Sequence, residues 1–172
     1  MADHGQLRLK FDPVGRKWWN KPLVLFKGRH IPAELAVLSM EVGSDECGAW
    51  LNSRGTKTGV VDLVPADTKA IGSYRTRRIL LPAFVSKMLT HLYQMTGVRK
   101  GCPDLVIWDT QTATARLVEV KCPHWDKLTE EQEQFLRVAK LIGVPTSTVE
   151  WEFSAARPEI RQRLLGVDGN AL

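Results

Sequence analysis

From residue 80 onward the hydrophobic positions switch between the period of a helix and that of a strand. Leu80 to Met95 carries Leu81, Phe84, Val85, Met88, Leu89 and Leu92 as one stripe at helical spacing, with Pro82 near its start and Gly97 past its end. Leu105 to Trp108 is a short apolar run, and Arg116 to Lys121 is a second stretch rich in Val and Leu. The polar Thr110-Gln111-Thr112-Ala113-Thr114 between them reads as the turn of a hairpin. From Gln132, Phe135, Leu136, Ala139 and Ile142 return to helical spacing until Gly143 and Pro145 stop it. Thr146 to Phe153 then has the β-branched and aromatic content of a strand. Helix, hairpin, helix, strand suits an α/β fold, a mixed central sheet flanked by helices.

The earlier half is less regular. Pro32 to Val42 is periodic at helical spacing, and Gly43 to Gly59 reads as loops between short strands. In Lys10 to Arg29, Trp18 and Trp19 stand among Arg16, Lys17, Lys21, Lys27 and Arg29. That mixture can follow a nucleic-acid backbone and stack on bases, with Lys17, Trp18 and Trp19 in contact, or it can form a twisted hairpin whose tryptophans pack on the sheet. Arg75, Arg77 and Arg78 form a second basic cluster before the first long helix and are further candidates for DNA contact.

Composition bounds the picture. With 172 residues, 44% of them hydrophobic, one domain with a core of its own is expected, and no repeat or linker divides it. The net charge of +5 is unevenly spread. Residues 1–98 hold 14 Lys/Arg and 8 Asp/Glu, whereas residues 99–172 hold 10 and 11. The first part therefore suits phosphates and the second suits metal ions. Cys47, Cys102 and Cys122 form no C-x-x-C pattern, which argues against a disulfide framework or a zinc knuckle. No apolar stretch is long enough to cross a membrane and no secretory signal is visible, so a cytoplasmic location is expected.

The hairpin carries the candidate chemistry. If a four-residue loop at Thr110 to Ala113 closes it, Asp109 pairs with Thr114 and Asp104 falls opposite Glu119. Opposed residues share a face at about 5 Å between Cβ atoms. Lys121 joins that face two residues on, while Val120 points into the core and leaves its carbonyl near the same edge. Two close carboxylates repel, and a hard divalent cation such as Mg²⁺ relieves them. An E-x-K triplet by itself is common on exposed strands, with Asp104 merely ending a turn after Pro103. Thr129-Glu130-Glu131-Gln132 is a capping box, so Gln132 reads either as a cap or as a group behind the site or on DNA.

The stretches GVRKGCPDLVIW and LVEVKCPHWDKLTEEQ resemble the VRR-NUC branch of the PD-(D/E)XK nuclease superfamily, over Thr96 to about Glu152. The branch includes the catalytic domain of Fanconi-associated nuclease and small junction-resolvase-like nucleases of phages and bacteria. The resemblance implies a restriction-endonuclease-like fold. It puts the family's basic pair on Arg99 and Lys100, its metal-binding aspartate on Asp104, and its E-x-K on Glu119 and Lys121. Its D-x-L-S/T stretch and following glutamine fall on Asp126, Leu128, Thr129 and Gln132. Mg²⁺ or Mn²⁺ would sit on Asp104, Glu119 and the Val120 carbonyl, with Lys121 orienting or activating water or neutralising phosphate charge.

This chain departs from the family in two places. Residues 75–100 lack the glutamate that many relatives carry on the helix before the hairpin. Glu34 or Glu41 could supply it from the earlier helix, and Glu34 is the choice. Where relatives often have glycine after the E-x-K, this chain has Cys122, then Pro123 and His124. The expectation is one nuclease domain over 1–172, with a basic elaboration to 74, a catalytic core over 75–153 and a helical tail from 154. It would be a metal-dependent DNA endonuclease acting on branched, flapped or four-way junction DNA in repair, as a homodimer where the substrate is a symmetric Holliday junction. Two alternatives stand: a toxin that cuts duplex DNA and is held by an immunity protein, and a non-catalytic DNA- or protein-binding module on a nuclease fold.

Overall fold

The computed structural model describes residues 8–18, 21–52, 54–65, 74–123 and 126–154, with the side chains of 8, 12–18, 21–22, 65 and 74 left aside. Strands β1 (Arg8–Trp18), β2 (Lys21–Phe26) and β3 (Arg29–Pro32) precede helix α1 (Ala33–Glu41), followed by β4 (Glu46–Leu51), β5 (Thr58–Pro65) and β6 (Tyr74–Leu80). Helix α2 (Ala83–Thr96), the hairpin β7 (Leu105–Asp109) and β8 (Thr114–Lys121), helix α3 (Glu130–Leu141) and β9 (Thr146–Phe153) complete the order. The strands form one sheet in the order β3-β2-β1-β9-β8-β7-β4-β5-β6. It is mixed: β9 runs parallel to both β8 and β1, and the other neighbours are antiparallel.

The second half follows its hydrophobic pattern closely. Alternation along β7 and β8 sends Leu105, Ile107, Val118 and Val120 to one core, and Val106, Trp108 and Leu117 to another. The second core is closed by α2 and α3, through Val85, Leu89, Leu92, Phe135 and Ala139. Gly97 ends α2 in the left-handed conformation at φ 68°, which glycine adopts without strain. Tyr93 and Phe135 meet edge to face at 5.0 Å, and Gln134 Nε2 donates to the Thr96 carbonyl at 2.8 Å, so α3 is fastened along the end of α2.

The first half does what its irregular pattern hides. Residues Ala33 to Leu38 of α1 are all buried, as in a helix surrounded by protein. Val24 and Ile31 from one end of the sheet, and Val60 and Leu63 from the other, join the α1 core. The sheet therefore curls around α1, and Arg29 laces its two ends together. Its guanidinium donates to Asp62 Oδ1 at 2.9 Å and to the Leu63 carbonyl at 2.7 Å. At the far end of α1, Arg116 of β8 donates to Glu41 Oε2 at 3.0 Å, to the Glu41 carbonyl at 2.7 Å and to Glu46 Oε2 at 3.1 Å. Hydrogen bonding from Arg116, aided by the Gly43 amide, holds the Glu46 carboxyl below its ordinary range.

The segment Gly43 to Gly59, expected as loops between short strands, contains a central one: β4 sits between β7 and β5. The basic cluster Arg75, Arg77 and Arg78 lies on β6, an edge strand, with all three side chains exposed. All three cysteines are free thiols, and no described helix is long and apolar enough to cross a membrane. The expected helical tail lies outside the described residues.

Removing the lacing contact tests the curl. Arg29→Ala is expected to lower unfolding stability by about 1 kcal/mol, since a charged hydrogen bond to a half-buried carbonyl is lost along with an exposed ion pair. Denaturant titration should show a shifted midpoint with an unchanged slope. An unshifted midpoint would mean that the two sheet ends are held by apolar packing alone.

Candidate active site

The β7–β8 turn fixes the site. Asp109 Oδ1 accepts from the amides of Gln111 at 2.7 Å and Thr112 at 3.3 Å, and Asp109 pairs with Thr114. The ladder runs back to Leu105 opposite Val118. The next positions are Asp104 and Glu119, as the loop length predicts. Their side chains and backbones interlock: the Asp104 amide donates to Glu119 Oε2 at 3.3 Å, and the Val120 amide donates to Asp104 Oδ2 at 3.0 Å. Val120 itself is buried in the α1 core.

Glu119 is wholly buried, and Lys121 is 7% exposed. Lys121 Nζ lies 2.9 Å from Glu119 Oε1, 3.1 Å from Asp126 Oδ1 and 3.3 Å from Gln132 Oε1. Burial pushes the Glu119 carboxyl above the ordinary carboxylate range despite the pull of Lys121 and the Asp104 amide. Burial alone would lower Lys121, but Glu119 and Asp126 outweigh it and raise the ammonium above its usual value. Lys121 is therefore a fixed cation at neutral pH.

Gln132 both caps α3 and touches Glu119. Its Oε1 accepts from the Thr129 amide at 3.0 Å and the Thr129 hydroxyl accepts from its own amide at 3.3 Å, which completes the capping box of α3. Its Nε2 donates to Glu119 Oε1 at 2.6 Å. A helix cap thus orients a carboxylate of the site. The Asp126 amide donates to the Cys122 carbonyl at 2.9 Å, which keeps Asp126 near Lys121. Gly101, at φ +107°, lies so close to α3 that a Cβ there would stand 2.8 Å from the Glu131 carbonyl carbon. Only glycine lets the helix start that near.

These groups surround an open pocket of about 240 Å³ lined by Lys100, Gly101, Asp104, Lys121, Asp126, Lys127, Thr129 and Gln132. Asp104 lines this volume and buried Glu119 contacts Asp104 and Lys121 beside it; a carboxylate pair next to open volume suits a divalent cation that keeps several waters. Among the described residues no three His, Cys, Asp or Glu side chains stand close enough to hold a metal. Glu34 is buried on α1 but is not gathered with Asp104 and Glu119, so it does not complete their ligand set in this structure.

Of the other expected residues, Lys100 lines the pocket and pairs with Glu131 at 3.6 Å, and Arg99 lines an adjoining one. Arg75, Arg77 and Arg78 line neither. Lys17 and Trp18 are on β1, paired with Pro22 and Lys21, but their side chains, like Trp19 and His124, lie outside the described residues. Sequence reading missed Lys127, which sits beside the matched Asp126 and had a local signal, and Arg54, which had none.

Comparison with protein families matches residues 49–150, more than half of the chain, to the VRR-NUC domain. The mixed sheet with helices on both faces is of the restriction-endonuclease-like type. Two solved structures are similar in part. The crystal structure of paFAN1 bound to 2-nt 5′ flap DNA with a gap is 22% identical with a TM-score of 0.35, over 45% of this chain and 17% of that one. That of paFAN1 bound to 1-nt 5′ flap DNA with a gap is 28% identical with a TM-score of 0.33, over 44% and 14%. The chain thus spans less than a fifth of either. No curated protein matches it.

The double role of Gln132 can be separated. Thr129→Ala removes the cap and should cost about 1 kcal/mol. Gln132→Ala also takes a partner from buried Glu119 and should cost about 2 kcal/mol. Equal losses in denaturant titrations would show that the Glu119 contact adds nothing.

Proposed function

Because the chain belongs to the VRR-NUC family, we propose that it is a Mg²⁺- or Mn²⁺-dependent endodeoxyribonuclease that hydrolyses DNA phosphodiesters. The observation that carries this reading is the cluster of half-buried Asp104, buried Glu119 and Lys121, of which Asp104 and Lys121 line the pocket. Asp104 and Glu119 face each other across a hairpin, and the Lys121 ammonium is 2.9 Å from Glu119.

The residues divide the work by their surroundings. Asp104, Glu119 and the Val120 carbonyl would hold the cation, which when bound polarises a phosphate oxygen and lowers the pKa of water. Lys121, locked as a cation by two carboxylates, is poorly suited to remove a proton. It acts by neutralising charge that develops on the phosphate and by orienting the attacking water. Gln132 Nε2 fixes the Glu119 carboxylate by donating to its Oε1. Lys100 and Lys127 flank the opening and would attract the DNA backbone. Branched or flapped DNA is the favoured substrate in this reading, on the resemblance to junction resolvases, and a homodimer would suit a symmetric junction.

The test is cleavage of a labelled panel of duplex, single strand, 5′ flap and four-way junction. Wild type is expected to cut with Mg²⁺ or Mn²⁺ and not in chelator, with Lys121→Ala slower by at least about 100-fold, the size of losing one electrostatic stabiliser. Indiscriminate duplex cutting would favour a toxin over a structure-selective enzyme. Binding without cutting, unchanged in Lys121→Ala, would identify a non-catalytic module.

A further inference from the structure

Beside the active-site pocket lies a second, of about 600 Å³, lined by Arg54, Val98, Arg99, Lys100 and Glu131. Lys100 lines both, so the second pocket adjoins the first. Three cations face a single carboxylate there, and Glu131 is engaged with Lys100 at 3.6 Å. Among the described residues neither Arg54 nor Arg99 has an ion-pair partner. Two guanidiniums in a pocket adjoining the proposed phosphodiesterase centre make a place for another phosphate.

Arg54 is not a stray surface residue. It sits in the β4–β5 connection, where its amide donates to Asn52 Oδ1 at 3.2 Å and the Gly55 amide donates to the Asn52 carbonyl at 3.0 Å. This turn is tied to the site itself: the Leu51 amide donates to the Asp104 carbonyl at 2.7 Å. The loop that presents Arg54 is thereby indexed to the residue that would hold the metal.

We infer that Arg54, with Arg99, holds a backbone phosphate of the cleaved strand away from the scissile bond, and so sets how the strand lies across the Asp104–Glu119–Lys121 site. The inference rests on the nuclease reading above. It makes Arg54 a DNA-positioning residue that takes no part in the chemical step, with internal phosphates of a nucleic-acid strand as its ligand. Lys57, exposed in the same connection but outside the pocket, has no such role.

The experiment measures binding of a labelled flapped duplex in Ca²⁺ across a NaCl series, and cleavage in Mg²⁺, for wild type, Arg54→Ala, Arg54→Lys and Lys57→Ala. Arg54→Ala should weaken binding about five-fold and reduce the slope of log affinity against log salt by about 1. Arg54→Lys should restore the slope, and Lys57→Ala should behave as wild type. The inference is overturned if Arg54→Ala keeps the wild-type affinity and slope, or if Lys57→Ala loses as much, while wild type still binds and cuts. A wild type that neither binds nor cuts DNA would remove the nuclease reading and this inference with it.

Discussion

Everything functional in this chain depends on the register of one antiparallel pair. Closing the β7–β8 hairpin with Asp109 opposite Thr114 puts Asp104 opposite Glu119 and keeps Lys121 on the same face. A shift by one residue would turn Glu119 and Lys121 into the α1 core and bring Val120 to the pocket. The register is held from both ends, by the amides that Asp109 gathers in the turn and by the exchange between Asp104 and the Glu119–Val120 segment.

The consequence is a buried carboxylate that the fold would not keep for stability alone. A charge taken from water is costly, and a single ammonium offsets it only partly. The surroundings show how the chain manages it: Lys121 and the Gln132 amide both reach Glu119 Oε1, and the Asp104 amide takes Oε2. Each of these partners is positioned by something else. Gln132 is set by the α3 cap, α3 by its packing on α2 and Gly101, and Lys121 by Asp126. The site is the point where these otherwise separate elements meet.

Local signals in the sequence were enough to read this half of the fold. The alternation of β7 and β8, the Thr129–Gln132 box, the α2 stripe ending at Gly97 and the strand at Thr146 to Phe153 each depend on neighbours a few residues apart. What was not legible depends on distant partners. The curl around α1 rests on Arg29 meeting Asp62 and Leu63, and nothing in residues 29–32 announces it. The insertion of β4 between β7 and β5 could not be read from a segment rich in turn-forming residues. Glu34 had the right residue type in a helical segment, but which side chains gather around a buried helix glutamate is set by tertiary packing. Arg54 stands fifty positions before Asp104, and only the Leu51–Asp104 backbone hydrogen bond reveals their kinship.

The central claim is that Asp104 and Glu119 form a divalent-cation site, and thermal unfolding under MnCl₂ titration tests it without requiring any substrate. An ion that binds only the folded chain stabilises it in proportion to the logarithm of its concentration, by about 2.7 kcal/mol at a hundred times its Kd. The account predicts a melting temperature that climbs with Mn²⁺ for wild type and stays flat for Asp104→Asn and for Glu119→Gln. Identical behaviour of wild type and both variants, whether all rise or none does, would contradict it.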